Sequence, residues 1–217
     1  MLSTAHLAAI AGRRETPLMR SVVAGLADPR ARDMAPPHRL AQFVAQIAHE
    51  SARFRYAAEA WGPTRAQRRY EGRRDLGNLQ AGDGYRFRGR GPIQITGRAN
   101  YARFTAWAEG PDFEAVPDAV MGDPWLGLSA VWFWQAGAGR SLNAYADKGD
   151  IEMITRRING GLNGYADRLA LYTRAGLVLL GQGPNDVRAF QRLAGLTVDG
   201  LAGPATRGAL HSHLLKL

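Results

Sequence analysis

Apolar side chains recur at helical spacing along most of the chain, and this pattern predicts an all-α fold with at most a brief β element. Segments with the pattern lie at 3–12, 16–27, from residue 41 onward, 98–107, 124–136, 151–158, 165–180 and in two short stretches after residue 182. The tract YRFRGRGPIQITGRAN differs, because it contains glycines and a single alternation from Ile93 to Thr96. It predicts a tight turn and a brief strand, with Gln94 and Thr96 on one face.

The helix that begins at residue 41 carries a carboxylate where an apolar side chain is expected. Phe43, Ile47 and Phe54 define a buried stripe at positions i, i+4 and i+11, and Glu50 falls on the same stripe at i+7. Burying an ionised carboxylate alone is costly, so such a group either pairs with a cation or keeps its proton. Two interpretations are therefore open: Glu50 is a general acid, or it lies at the rim of the stripe and pairs with a neighbouring arginine, Arg53 or Arg55.

A second glutamate follows nine residues later, at Glu59. At about 100° per residue, one continuous helix would place Glu50 and Glu59 on opposite faces, so a shared cleft requires the helix to end between them. Aromatic residues followed by Gly62-Pro63 are compatible with such a break. His49-Glu50 also begins a zinc-protease motif, but Arg53 stands where that motif needs histidine, which excludes this metal site.

Helix boundaries are predicted at three further places. Asp123 is the expected N-cap of the apolar segment at 124–136, with Pro124 as its first residue, and the tryptophans of that segment are expected in the core rather than on a sugar-binding surface. Asp150 is the expected N-cap of the next helix, which ends in the turn signal Asn159-Gly160. Asn185 is the expected cap of the first helix in the tail.

Charge indicates an anionic partner. The chain has 28 lysines and arginines against 19 acidic residues, a formal charge of +9, and arginines concentrate between residues 65 and 90. An anionic bacterial wall or envelope fits this charge, whereas no nucleic-acid motif and few suitably placed aromatics accompany it, so nucleic acid is not predicted as a partner. A solvated arginine-rich face that merely reflects genomic base composition is the alternative.

Composition also limits the kind of protein. With 46% hydrophobic residues the chain can bury a core, and without cysteine it has neither disulfides nor thiolate metal sites. The first residues, MLSTAHLAAIAGRRETP, match a secretory signal poorly, and no segment approaches transmembrane length. Two units are predicted, a main domain at 1–181 and a small helical module at 182–217, with no cofactor and a monomeric state.

Four motifs occur together: AHES at 48–51, Glu59, GRGPIQITGRANY at 89–101 and INGG at 158–161. In this order they resemble glycoside hydrolase family 19, the chitinase-type enzymes, and in particular their compact phage and bacterial endolysins. The resemblance covers about residues 2–181. It implies a lysozyme-like, two-lobed, predominantly helical fold.

The resemblance also implies roles for individual residues. Glu50 would be the general acid and Glu59 the general base of an inverting glycosidase, which needs two carboxyls roughly 6.5–9.5 Å apart. Thr96 would help to hold the attacking water, where many relatives carry serine. The remaining expected site residues contact the N-acetyl sugars or lie near the acid: Gln94, Asn100, Asn159 and Arg168.

The tail VRAFQRLAGLTVDGLAGPATRGAL resembles the second half of a peptidoglycan-binding module of three short helices, without its first helix and turn. About 35 residues are too few for most domains to fold alone. We therefore expect the tail to dock on the long helix that ends near Leu180.

The substrate predicted from these features is peptidoglycan, cleaved between N-acetylmuramic acid and N-acetylglucosamine. Four features favour an endolysin: the lack of cysteine, the poor match to a secretory signal, the positive charge and the tail that resembles a wall-binding module. Such an enzyme would be made in the bacterial cytoplasm and released to the wall through a holin-type pore. A chitinase and a catalytically inactive wall-binding protein are the alternatives. Intact Glu50 and Glu59 argue against the inactive protein, and Glu59 argues against a lytic transglycosylase, which uses a single glutamate.

Overall fold

Helices dominate the computed structural model, which describes residues 2–217. The described chain contains twelve α-helices: α1 Thr4–Ala11, α2 Pro17–Ala27, α3 Pro37–Glu50, α4 Arg65–Arg68, α5 Asp83–Arg86, α6 Arg98–Ala108, α7 Trp125–Trp132, α8 Asn143–Ala146, α9 Ile151–Asn159, α10 Tyr165–Leu179, α11 Val187–Leu193 and α12 Pro204–Leu214. Short 3-10 helices lie at Pro29–Met34, Arg74–Leu76 and Pro117–Met121, and a π-helical turn at Phe133–Gly137 extends α7. The predicted all-α fold is confirmed.

The β element is smaller than a strand. Only two isolated bridges, Ala58 with Arg90 and Arg90 with Ile95, occur within residues 2–217. The predicted alternation is nevertheless present, because Ile93 and Ile95 are buried while Gln94 and Thr96 are half-buried. A turn rather than a strand therefore carries the two polar side chains.

Side-chain caps start several helices, and one of these caps was predicted from the sequence. The hydroxyl of Ser3 accepts from the backbone N–H of His6 at the start of α1, and Thr16 does the same for Met19 at the start of α2. Asp150 accepts from the backbone N–H of Met153, which confirms it as the N-cap of α9.

Two predicted caps are wrong. Helix α7 begins at Trp125 with Pro124 at the N-cap position, so Asp123 lies outside the helix and does not cap it. Helix α11 has Asp186 rather than Asn185 at its N-cap position, and the Asn185 side chain instead accepts a hydrogen bond from Arg174. Tertiary contacts have displaced the local capping pattern in the second case.

The core forms where long helices pack on one another. Helix α3 packs along α10, and both contribute fully buried side chains such as Phe43, Ile47 and Leu171. Helix α2 packs on α7 at Gly25, where an added Cβ would lie 2.5 Å from the backbone carbon of Gly127, so the contact requires glycine. Trp132 and Trp134 are almost completely buried, which confirms their prediction as core residues.

The C-terminal tail packs against α10. Phe190 of α11 and Leu210 of α12 form a small apolar cluster with Leu177 of α10. His211 of α12 contacts the main body as well, because its Nε2 lies 3.1 Å from the backbone oxygen of Asp147. The expected docking of the tail on the long helix is thus present.

None of the helices in the described residues combines the length and the apolar character needed to cross a bilayer. The long α10, for example, interrupts its apolar positions with charged side chains that include Asp167, Arg168 and Arg174.

Candidate active site

Helix α3 ends at Glu50, and the chain then makes a left-handed turn. Ala52, Arg53 and Phe54 have φ angles of 50°, 59° and 62°. The Ser51 hydroxyl fixes this turn by donating to the carbonyl of Ile47 and accepting from the N–H of Phe54. The predicted break between the two glutamates is confirmed, but Phe54 is not on the stripe of α3 and reaches the core through the turn instead.

Glu50 pairs with a buried arginine from the opposite end of the sequence. Its Oε1 lies 2.5 Å from Nη2 of Arg168, whose side chain is fully buried, while the Glu50 side chain remains 23% exposed. The Arg168 guanidinium also donates to the side-chain oxygen of Gln46, one turn earlier on α3, and to the carbonyl of Asn163. Within residues 2–217 nothing donates to Oε2 of Glu50, which leaves that oxygen available to a substrate.

The alternative partners proposed from the sequence have other contacts. Arg53 donates to Asp167 at 2.7 Å, and His49 contacts the other oxygen of the same carboxylate at 2.7 Å. Arg55 is exposed and lies over the ring of Tyr56. The first turn of α10 therefore holds the end of α3 through two adjacent residues, Asp167 and Arg168.

Glu59 lies on a separate segment that pairs with the GRGPIQIT loop. Its backbone N–H donates to the carbonyl of Gly89 at 2.9 Å, and its Oε1 accepts from the hydroxyl of Tyr70 at 2.8 Å. Burial, followed by the hydrogen bond to Glu59, raises the pKa of Tyr70 to about 12. Tyr70 therefore remains a protonated donor at neutral pH and orients the Glu59 carboxylate.

The loop residues predicted as site residues form a connected group beside Glu59. A Cβ on Gly89 would lie 2.5 Å from Oε1 of Gln94 and 3.1 Å from Oε1 of Glu59, so both side chains border the open face of this glycine. The Thr96 hydroxyl donates to the carbonyl of Gln94 at 2.9 Å, and the Asn100 side chain donates to the carbonyl of Thr96 at 2.8 Å.

Asn159 lies apart from both groups in the described hydrogen-bond network. It is the exposed last residue of α9, and Gly160 follows in the left-handed conformation with a φ of 76°. Among the contacts described for residues 2–217, its side chain makes no hydrogen bond, which leaves its amide free. The same part of the chain contains no group of three or more histidine or acidic side chains arranged to hold a metal.

Two residues at the site had not been identified from the sequence. Gln46 is a second polar residue on the apolar face of α3, four positions before Glu50, so the same reasoning that singled out Glu50 could have found it. Tyr70 gave no such signal, because its contact with Glu59 arises only when α4 folds back on the preceding segment.

A family model described as chitinase class I, the glycoside hydrolase family 19 domain, matches residues 19–148, and a peptidoglycan-binding domain model matches residues 185–210. Together with the helical fold, the first match defines a chitinase-like glycoside hydrolase. The chain belongs to glycoside hydrolase family 19.

Curated relatives agree with this assignment. Over 108 residues the chain is 45% identical to a glycosyl hydrolase family 19 domain-containing protein of Haemophilus influenzae, a match that covers 49% of this chain and 50% of that protein. It is 34% identical over 123 residues to an endochitinase of Arabidopsis thaliana, covering 56% of this chain and 39% of the endochitinase. The chain thus spans half the length of these relatives or less.

Solved structures share the fold. Chitinase C from Streptomyces griseus superposes with a TM-score of 0.65 at 20% identity, covering 84% of this chain and 77% of that chain. A bacterial family 19 chitinase gives 0.64 at 21% identity, covering 84% and 96%. A class IV chitinase from Zea mays gives 0.58 at 22% identity, covering 84% and 94%. This likeness confirms the lysozyme-like, helical fold.

Proposed function

We propose that this chain is a peptidoglycan hydrolase that cleaves the β-1,4 bond between N-acetylmuramic acid and N-acetylglucosamine. The observation that carries the proposal is the pair of separately held carboxylates. Glu50 ends α3 and is bound through one oxygen by Arg168, whereas Glu59 lies beyond the left-handed turn and is bound through one oxygen by Tyr70. Two carboxyls on different elements suit the two proton transfers of glycoside hydrolysis.

In the proposed reaction, Glu50 gives a proton to the glycosidic oxygen while Glu59 takes a proton from a water molecule. The water oxygen attacks the anomeric carbon from the face opposite the leaving sugar, so one C–O bond forms as the other breaks and the configuration inverts. The hydroxyl of Thr96 donates to the Gln94 carbonyl, so its lone pairs can accept a hydrogen bond from this water and hold it for Glu59. The exposed amide of Asn159 and the amides of Gln94 and Asn100 are proposed to bind the N-acetyl sugars.

The tail supports peptidoglycan as the substrate. Its match to a peptidoglycan-binding domain lies at residues 185–210, a range that contains α11 and the first part of α12, and both helices pack on α10. Chitin is the second candidate, because the relatives named above include an endochitinase and several chitinases. Both polymers contain β-1,4-linked N-acetylglucosamine, so the two glutamates serve either substrate equally well.

One digestion experiment tests the substrate and the reaction together. Purified peptidoglycan and chitin oligomers are incubated in parallel with wild type, Glu50→Gln and Glu59→Gln, and the products are analysed by mass spectrometry. We expect wild type to release muropeptides with a hydrated reducing N-acetylmuramic acid, and each variant to be at least about 100-fold slower. Anhydro-muramyl products would reject hydrolysis, activity on chitin alone would reject the peptidoglycan assignment, and full activity of Glu59→Gln would reject the two-carboxylate mechanism.

We further propose that the enzyme is an endolysin of phage or prophage origin, made in the bacterial cytoplasm and released to the wall by a holin-type pore. The charge of +9, the absence of cysteine and the wall-binding-like tail support this role. Production of the protein in bacterial cytoplasm should leave the cells intact until the inner membrane is permeabilised, after which the culture turbidity should fall rapidly. Turbidity that stays constant after permeabilisation, with soluble protein present, would reject the lysis role.

A further inference from the structure

Most of the positive charge of the molecule belongs to the segment that carries Glu59. Residues 51–100 contain eleven arginines, no lysine and four acidic residues, so their formal charge is 11 − 4 = +7, against +9 for the whole chain. The excess is therefore local to the region beside the candidate site rather than spread over the surface.

Many arginines of this segment are already engaged. Arg90 forms an ion pair with Asp118, and Arg73 forms one with Asp75. Arg98 pairs with both Asp83 and Glu114. Arg65 and Arg69, in contrast, are exposed and make neither an ion pair nor a side-chain hydrogen bond with any residue between 2 and 217. They lie four positions apart around α4, on one side of it. The segment thus presents two adjacent free guanidinium groups.

Helix α4, which begins at Arg65 and is followed by Arg69 at its C-cap, is attached directly to the Glu59 segment. Gln67 of α4 donates to the carbonyl of Ala60 at 2.8 Å, and Tyr70, just beyond α4, donates to Glu59 itself. The charge of Arg69 is close enough to Tyr70 to oppose the increase in the pKa of its hydroxyl. Arg65 and Arg69 therefore lie on the same short segment as Tyr70, the residue that holds the candidate base.

We propose that Arg65 and Arg69 bind the carboxylates of the peptide stems of peptidoglycan and thereby select it over neutral glycans. This inference rests on the proposed function, and it names the groups by which the enzyme would distinguish peptidoglycan from a neutral glycan. Peptidoglycan carries an acidic peptide on every second sugar, whereas chitin carries no charge. A guanidinium group binds a carboxylate with two parallel hydrogen bonds, so a free arginine pair on the segment next to Glu59 matches this ligand.

The test compares one substrate with and without its charge. Native peptidoglycan and peptidoglycan whose peptide carboxylates have been converted to amides are digested by wild type and by the double variant Arg65→Gln/Arg69→Gln. We expect wild type to have a kcat/KM about 3- to 10-fold higher on native than on amidated peptidoglycan, and the double variant to show a ratio near one. At 1 M salt, where the screening length is about 3 Å, the preference of wild type should disappear.

A matched control removes the same charge elsewhere. Arg20→Gln/Arg32→Gln replaces two exposed arginines that also lack an acidic partner, on α2 and on the 3-10 helix at Pro29–Met34, and it should keep the wild-type ratio. If the Arg65/Arg69 variant also keeps that ratio while wild type digests peptidoglycan, the inference fails and the proposed function stands. If neither wild type nor any variant digests native or amidated peptidoglycan, the proposed function fails.

A membrane surface is the rival occupant of the arginine pair. Cosedimentation with vesicles of phosphatidylglycerol and phosphatidylethanolamine decides between them. Binding of the vesicles that is lost in the Arg65/Arg69 variant, together with an unchanged preference for native peptidoglycan, would assign the arginines to a lipid surface and overturn the inference.

Discussion

Each of the two candidate catalytic carboxylates is held through one oxygen and leaves its second oxygen without a donor from residues 2–217. Arg168 holds Glu50 and Tyr70 holds Glu59, at 2.5 Å and 2.8 Å. A fixed carboxylate with one free oxygen loses little conformational freedom when a sugar binds, so residues that only position these groups should affect the chemical step.

Tyr70→Phe tests this positioning at Glu59. The variant removes the hydroxyl that donates to the carboxylate, and we expect kcat on peptidoglycan to fall about tenfold, because a hydrogen bond to a charged group contributes roughly 1.5–3 kcal/mol. KM should change little. Tyr145→Phe is the matched control, since its hydroxyl accepts a long hydrogen bond, 3.5 Å, from Arg157. Steady-state kinetics in which Tyr70→Phe changes KM alone would contradict a positioning role.

Gly89→Ala tests the close approach of the loop to Glu59. The added methyl would meet Gln94 at 2.5 Å and Glu59 at 3.1 Å, and both contacts are with movable ends of side chains. The fold should therefore tolerate the change to within about 1 kcal/mol, while kcat/KM falls about 10- to 100-fold because the two site residues are displaced. Gly208→Ala, whose methyl meets nothing within 4 Å, is the control. Equal activity of the two variants would show that this geometry is unimportant.

At the scale of residues, the sequence identifies Glu50 as an unusual carboxylate but does not identify the residue that binds it. Glu50 is conspicuous because it shares an apolar stripe with Phe43 and Ile47. Its partner Arg168 is 118 positions away, so only the family resemblance, and no local pattern, could suggest it. The roles of the seven predicted site residues remain predictions that the kinetic variants must test.

At the scale of elements, the left-handed turn after α3 separates the two glutamates. Three consecutive residues without glycine have positive φ angles, a conformation that costs roughly 1–2 kcal/mol per residue. Packing offsets that cost, since Phe54 is fully buried and Ser51 bonds both sides of the turn.

Substitutions at Ala52 measure this strain, because the side chain is exposed and its φ is 50°. Ala52→Val should lower the free energy of unfolding by about 1 kcal/mol or more, since a β-branched side chain crowds the left-handed conformation. Ala52→Asn should raise it by about 0.5 kcal/mol, because asparagine tolerates that conformation. Urea denaturation measures both changes, and equal stability of the two variants would be evidence against a left-handed turn.

Docking of α12 should depend on pH through His211. The ring Nε2 faces the carbonyl of Asp147, which can only accept, so Nε2 carries the proton of the neutral ring. Burial lowers the pKa of His211 from its ordinary value of 6.5, and nearby His38 acts in the same direction, while the Asp147 contacts oppose the shift. Lys148 and Arg207 line the same small cavity as His211, and their positive charge disfavours protonation of the His211 ring.

The sign of the effect follows from this shift. Because the folded state binds fewer protons at His211 than the unfolded state, its contribution is full above pH 6.5 and is lost as the pH falls below that value. Asp147 does not change over this range, since the pKa of Asp147 is lowered from 3.8, chiefly by its hydrogen bond with Arg39. The protection factors of the α12 amides, which correct for the fall of the intrinsic exchange rate with pH, should therefore decrease between pH 7.5 and pH 5.5 in wild type, and less so in His211→Gln, which keeps a donor without a titrating group. The same decrease in both proteins would exclude His211 as the cause.

Helix positions were predictable because amphipathic spacing and turn residues determine them locally, as for α1, α2, α9 and α10. Caps were less predictable. Asp123 and Asn185 both have side chains suited to capping. However, Pro124 occupies the N-cap position of α7, and the side chain of Asn185 accepts a hydrogen bond from Arg174 of α10 instead. The segment at Ile93 forms a turn instead of the predicted strand, because in the described residues its backbone pairs with neighbouring segments only through isolated bridges.

For the whole molecule, the fold brings the distant ends of the sequence into one unit. The first turn of α10 supports Glu50 at the end of α3, and the tail that follows α10 packs back on it through Leu177. The tail that matches a peptidoglycan-binding domain and the positive charge near Glu59 therefore belong to one folded unit. The sequence predicted the local charge, the resemblance of the tail and its docking on the long helix, whereas the particular contacts, such as Leu210 with Leu177, required the three-dimensional structure.

The configuration of the first product tests the central claim most directly. Soluble peptidoglycan oligomers are digested in an NMR tube, and the anomeric proton of the new reducing N-acetylmuramic acid is followed before mutarotation. Hydrolysis by Glu50 as acid and Glu59 as base predicts that the α-anomer appears first and the β-anomer grows later. An initial β-anomer, or an anhydro sugar in its place, would contradict the account.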